Sequence, residues 1–245
     1  MVARLTEKLA QFWAWKGTPI LVVGCSSLVA AIVGAIWLIP SPDALCRYAP
    51  MCEAFAAGEW GEAFHPRFGV GFPALCGVVR AVTGLDGLAT CSCVAMFLWA
   101  LAAYPFYVIV RRLFGSTAAF FALVIYFLAP QPIIWSLRGM RESARMLGTL
   151  LMVAGILARY QKDSGLVSAI LGGLVLCTFR NDTILVAGAF ALAYAVVDRF
   201  RLRTWGLFAA LLAIVQLPCA LVWSKLGYWL PAAQYIRVWQ CLFGG

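Results

Sequence analysis

Apolar runs broken by short polar clusters set the plan of this chain. A helix that crosses a hydrocarbon layer needs about 20 apolar residues. Seven runs approach that length, at 19–40, 88–110, 117–137, 144–160, 165–179, 183–197 and 205–223. The fourth, fifth and sixth are short and are expected to extend into their flanks. A further apolar piece, 68–82, is shorter and holds Pro73, Gly77 and Arg80, which predicts a re-entrant or interfacial helix. The pattern predicts an all-α polytopic membrane protein of about seven transmembrane helices. It is read as a single membrane domain over 1–245, with a cytoplasmic leader at 1–18 and a first exoplasmic loop at 41–87.

The polar clusters give an orientation. A basic leader (Arg4, Lys8, Lys16) precedes the first run, which exceeds a signal-peptide core and lacks a small-residue cleavage site before Pro40, so a retained signal anchor is expected. With the N-terminus inside, the cytoplasmic segments hold ten basic and three acidic residues, and the opposite side nine and seven. That bias follows the positive-inside rule. Seven of the ten carboxylates then face outward, Asp43 among them. A multi-pass protein of a bacterial inner membrane, with its polar chemistry on the exoplasmic face, is the expectation.

Composition agrees. The chain is 64% hydrophobic and 12% charged, about half the charged share of a soluble domain, with a mean hydropathy of +0.90. The net charge of +9 is read as basic loops beside anionic lipid, with no nucleic-acid partner. Nine cysteines show no paired C-x-x-C spacing, and most fall inside apolar runs where a thiol serves as a small hydrophobe. No zinc or disulfide framework follows from them. Cys46 and Cys52 are open to pairing with another exposed cysteine in an oxidising compartment.

The outer loops carry the candidate chemistry. Ser41-Pro42-Asp43 reads as a helix start, with Ser at the cap, Pro in the first turn and an acid favoured by the helix dipole. Leu45, Tyr48, Ala49, Cys52 and Phe55 recur at helical spacing, and Gly58 is the stop. Pro50 removes a backbone donor, so the helix is expected to kink or split there. Asp43 has two readings, a solvated capping acid or a base. The only histidine, His65, sits beside Pro66 and Arg67, with no second His or Cys at ligand spacing for a closed metal site.

The second outer loop holds Arg138, Arg141, Glu142 and Arg145 within ten residues, against the positive-inside rule. Arginine at a headgroup boundary suits bidentate phosphate binding. The plain alternative is snorkelling to lipid phosphates. Arg180 and Asp182 flank the tight connection "FRNDT" and are read either as functional groups or as a mutual ion pair.

Taken in order, these residues form a recognisable series. It runs from an Asp after the first span through "HPRFGVGFPAL", "RRLFG" and "LAPQPIIWSLRGMRES" to "CTFRNDT". The series resembles the N-terminal half of the GT-C membrane glycosyltransferases. It is most similar to the branch of protein O-mannosyltransferases, aminoarabinose transferases and lipopolysaccharide glycosyltransferases. The likeness covers about residues 19–197, though Ala44 stands where mannosyltransferases often carry a second acid. It implies interfacial jaw helices in the first outer loop that grip a polyprenyl-phosphate sugar. It implies catalytic carboxylates at Asp43 and Glu142, donor-phosphate contacts at Arg138, Arg141 and Arg180, and substrate contacts at His65, Arg67 and Asp182. Family members are longer, so a partner chain supplying a C-terminal half is expected, alongside the lipid donor and membrane lipids as partners.

The chemistry has its own logic. Moving a sugar off a lipid phosphate needs a base for the incoming hydroxyl and cations for the departing phosphate. One base opposite the leaving group predicts inversion at the anomeric carbon. No nucleotide-binding fingerprint is present, no cofactor is implied, and a divalent ion at the phosphate stays open. The alternative is a non-catalytic membrane subunit or lipid-binding scaffold on a truncated GT-C fold. A transporter would hold its charges near the bilayer midplane, whereas here they gather at one surface.

Overall fold

The computed structural model describes residues 18–36, 40–63, 69–179, 183–202, 204–211 and 213, and every regular element among them is helical. The leader and most of the run at 205–223 lie outside the described residues. The centre of the bundle is a 28-residue helix, Gly87–Phe114, and the remaining elements pack around it. In chain order the helices are α1 (Thr18–Ile36), a π-helical turn (Ala44–Tyr48), α2 (Ala49–Ala57), α3 (Trp60–Ala63), α4 (Gly71–Thr83) and α5 (Gly87–Phe114). Then come α6 (Ser116–Leu128), α7 (Pro130–Leu137), α8 (Glu142–Tyr160), α9 (Leu166–Phe179) and α10 (Ile184–Val197).

Helix α5 starts where Asp86 caps it, accepting from the Leu88 and Ala89 amides at 3.0 and 2.9 Å. Those bonds satisfy two of the four amides that a helix start leaves open. At about 1.5 Å per residue the helix is about 42 Å long, which outruns a hydrocarbon core of about 30 Å. It is the one helix among the described residues that is by itself long and apolar enough to cross a membrane. The third apolar run, 117–137, is not one straight helix. Its two halves, α6 and α7, bend by 51°. Pro130 forces Ala129 into extended backbone (φ −67°, ψ 114°) and then opens α7 as a first-turn proline. At 14 residues each, α9 and α10 are about 21 Å long, short of a full crossing.

Close glycine packing joins α8 to α9. A Cβ on Gly172 would stand 2.7 Å from the Gly148 carbonyl and 2.7 Å from the Met152 amide, and one on Gly155 would stand 2.7 Å from the Gly165 carbonyl. Backbones pressed together through small residues are how helices associate where no water is left to expel. On the other flank, Trp99 of α5 stacks on Tyr126 of α6 with ring centroids 5.5 Å apart, and the Tyr126 hydroxyl donates to the Trp99 carbonyl at 2.6 Å. That bond satisfies the polar handle of a buried aromatic ring. In α1, Ser26 and Ser27 turn their hydroxyls back onto the carbonyls four residues earlier, at 2.6 and 2.9 Å, so neither leaves a polar group open to an apolar neighbour.

The connections sort to two ends. At one, Arg112 meets Asp163 at 3.0 Å and the Gln161 side chain at 3.1 Å. Beside them the fully buried Asp198 takes Arg159 Nε at 2.5 Å and the Thr204 hydroxyl at 2.9 Å. At the other end lie the first loop, the α7–α8 connection and the end of α9. There Tyr48, Phe72 and Phe179 meet edge-on and tilted, at 5.5 and 6.3 Å.

Candidate functional site

The site grows from the helix start at Ser41. Its hydroxyl oxygen accepts the Ala44 amide at 2.9 Å, so serine caps this helix, and Asp43 makes no cap hydrogen bond. The expected cap at Ser41 is in place, and Asp43 does not share that role. The helix then loosens into the π turn, in which the Ala49 amide reaches back to the Ala44 carbonyl. Pro50 sits in the first turn of α2, where its missing amide removes no bond, and the expected split falls just before it. Gly58 ends α2 at φ +78°, as its position in the sequence predicts.

Ser41 also fastens this segment to the α7–α8 connection. Its amide donates to the Arg138 carbonyl at 3.3 Å, and its hydroxyl proton is shared between that carbonyl (3.2 Å) and the Met140 sulfur (3.0 Å). Gly139 makes the approach feasible. It holds φ +67°, and a Cβ there would press to 3.3 Å on the Ala44 and Cys91 side chains. Two loops far apart in the chain become one surface.

On that surface Asp43 and Arg47 form an ion pair at 3.0 Å, each side chain nearly half exposed. An exposed i,i+4 pair contributes about 0.3–0.5 kcal/mol, so it holds Asp43 loosely. The Arg141 guanidinium lies over the Tyr48 ring at 5.6 Å, a stacked cation of the kind arginine makes best. The Arg138 side chain is exposed, while its carbonyl holds Ser41. Glu142 opens α8, where the helix dipole favours a carboxylate.

Glu142 also lines a half-open cleft of about 290 Å³ between α7 and α8, with Ser143, Arg145, Thr149, Trp135 and Met146 among its other walls. Ser143 is 3% exposed, and its hydroxyl has no hydrogen-bond partner among the described residues. A buried hydroxyl left open is costly unless a ligand or water completes it. Along α8 the lining runs from Glu142, Ser143 and Arg145 in the first turn to Met146, Thr149 and Leu150 in the next two.

The structure thus brings Asp43, Arg138, Arg141 and Glu142 to one end of the bundle. His65, Arg67, Arg180 and Asp182 lie outside the described residues. Three contributors escaped the sequence reading: Arg47 as the partner of Asp43, Ser41 as the inter-loop fastener, and Ser143 in the cleft. The first was visible as an i,i+4 opposite-charge pair, whereas the other two depend on contacts across the fold. Among the described residues no group of three His, Cys, Asp or Glu is arranged to hold a metal. Compared with protein-family models, with curated proteins and with solved structures, the chain finds no match in any of the three.

Proposed function

We propose that this chain is an integral, multi-pass membrane glycosyltransferase of GT-C type. It moves a sugar from a polyprenyl-phosphate donor to an exoplasmic acceptor, with inversion. The observation that carries the reading is the Ser41–Arg138 junction, which gathers an acid, Asp43, and the arginine-rich second loop beside a cleft lined by Glu142, Arg145, Ser143 and apolar side chains. Such a mixed lining suits an amphiphile with a charged head and a hydrocarbon tail. Asp43 is the base toward the acceptor hydroxyl, Glu142 a second acid, and Arg138, Arg141 and Arg180 stabilise charge on the departing phosphate. Multi-pass insertion is supported by bare apolar side chains such as Ile125 (68% exposed), Leu128 (74%), Val167 (67%) and Leu185 (72%), which lipid would cover.

A second reading, a non-catalytic lipid-binding scaffold, draws on the Asp43–Arg47 pair, since a base must be free of such a partner when it acts. Asp43→Asn separates the two. In the enzyme, transfer from a polyprenyl-phosphate sugar falls about 10²–10⁴-fold while donor binding persists. Replacing Arg138, Arg141 or Arg180 by Lys removes the bidentate fork and weakens binding of a polyprenyl phosphate at unchanged thermal stability. Donor binding by wild type without transfer to any acceptor supports the scaffold. Binding untouched by all three lysine variants refutes the phosphate site.

A further inference from the structure

Helix α8 starts without a side-chain cap, since Arg141 in that place makes no cap hydrogen bond. A helix start leaves amides open and carries the positive end of the helix dipole, a common seat for a phosphate. Such a start alone selects no ligand, but a second group in the same turn calls for one. The Ser143 hydroxyl is 3% exposed, lines the cleft and finds no hydrogen-bond partner among the described residues. Arg145 lines the cleft as well, with its side chain exposed and in no ion pair among the described residues. An uncapped helix start, an open hydroxyl and a guanidinium together suit a phosphate. The lining asks for more than an anion, however. Glu142 stands in the same cleft, and its carboxylate repels a purely anionic head. Trp135 lines the cleft from α7, and an indole face attracts an organic cation. Glu142 and Arg145 are neighbours on one helix face, yet they do not pair with each other. Both signs are answered by a head that carries a phosphate and an ammonium on a short spacer. Pro132, Met146 and Leu150 add apolar surface for the start of an acyl chain.

We propose that this cleft binds an aminophospholipid of the surrounding membrane, of the phosphatidylethanolamine class. Ser143, Arg145 and the start of α8 hold its phosphate, and Glu142 with Trp135 holds its ammonium. A volume of about 290 Å³ lies at the lower limit of small-ligand pockets, ~300 Å³. It takes the head group and leaves most of each chain in the bilayer. The site is separate from the donor phosphate, which the reading above assigns to Arg138, Arg141 and Arg180. It rests on membrane insertion of the chain and not on glycosyl transfer. Occupancy completes the open hydroxyl and stabilises the α7–α8 pair by mass action.

The test uses the purified full chain, stripped of lipid in detergent, with native mass spectrometry to read bound lipid and melting to read stability. Short-chain phosphatidylethanolamine should bind as a single copy per chain and raise the melting temperature. Phosphatidylglycerol with the same chains has the phosphate without the ammonium and should bind about 10-fold more weakly. Arg145→Gln should weaken phosphatidylethanolamine about 10–100-fold. Ser143→Ala should weaken it about 3–10-fold, while the empty protein melts at the same temperature or higher because no open hydroxyl is buried. A merely structural serine would lower that temperature instead. Glu142→Gln should bring the two lipids to equal affinity. Equal binding of both lipids by the wild-type chain overturns the inference, as does phosphatidylethanolamine binding untouched by Arg145→Gln and Ser143→Ala. Displacement of the lipid by a polyprenyl phosphate whose own binding depends on Arg145 gives the cleft to the donor. That result also overturns the inference and leaves glycosyl transfer standing. Should the chain fractionate away from membranes, insertion falls, and free phosphorylethanolamine becomes the probe. Its binding, lost in Arg145→Gln, then sustains the head-group site, and no binding overturns it.

Discussion

Replacing Ser41 by Ala is the sharpest probe of how the site is assembled. The change removes an acceptor 2.9 Å from the Ala44 amide and a donor 3.2 Å from the Arg138 carbonyl, and leaves the backbone bond from Ser41 to Arg138 in place. Loss of a serine cap costs about 1 kcal/mol, and a neutral inter-loop hydrogen bond contributes about 1 kcal/mol. The hydroxyl is 94% withdrawn from solvent with its residue, so water does not readily replace either bond. Together they amount to about 2 kcal/mol, or about a thirty-fold change in the docking equilibrium. Hydrogen exchange on protein in lipid nanodiscs reads this directly. The Ala44 and Leu45 amides should exchange about 10–30-fold faster, while α8 and α9 keep their protection. Ser41→Thr, which keeps a capping hydroxyl, should stay near wild type. Unchanged protection of Ala44 and Leu45 in the alanine variant would show that the two loops are held by something else, and the assembled site would lose its support.

Three further outcomes follow from the same geometry. Gly172→Val should cost about 1–3 kcal/mol by overpacking against backbone of α8, seen as a lowered melting temperature. Gly188→Ala, with nothing within 4 Å of the new methyl, should be neutral or stabilising. Asp198→Ala leaves Arg159 without its buried counter-ion and should cost about 3–5 kcal/mol. The Arg159→Met, Asp198→Leu double variant should recover most of that in the same melting assay. For topology, in a chain lacking the exposed native cysteines, Leu85→Cys should label with a membrane-impermeant maleimide from outside intact cells, and Lys162→Cys only after permeabilisation. The reverse pattern would invert the proposed orientation.

Much of the local architecture was legible, because it depends on neighbours in sequence. Gly58 as a stop, Pro50 as a break and the long run from 88 each follow from short-range rules. The bend between α6 and α7 was equally local, since Pro130 lies inside the run at 117–137. Hydropathy averaged over that run hid a backbone constraint that acts on a single residue. The site was legible in parts. Its acid and its arginines stood out as charges beside apolar runs, and the Asp43–Arg47 spacing was open to view. Their union was not, because the junction pairs positions 97 apart in sequence and rests on a serine whose surroundings in the chain announce a helix cap but no contact across the fold. The Ser143 hydroxyl was hidden likewise. Only the placement of α7 beside α8 makes a cleft of what reads as an ordinary first helical turn.

The π turn at Ala44–Tyr48 has an evolutionary corollary. A π turn accommodates one residue more than an α turn over the same rise, so the chain carries a spare residue between Asp43 and α2. Deleting exposed Cys46 would let the segment relax to regular α geometry at little cost in helix. It would also turn Asp43 by about 100° about the axis relative to Tyr48 and the arginine stacked on it. Natural length variation here would therefore act as an on–off switch for the site while the rest of the bundle tolerated it. Chains of this design that keep the insertion are the ones expected to keep the chemistry.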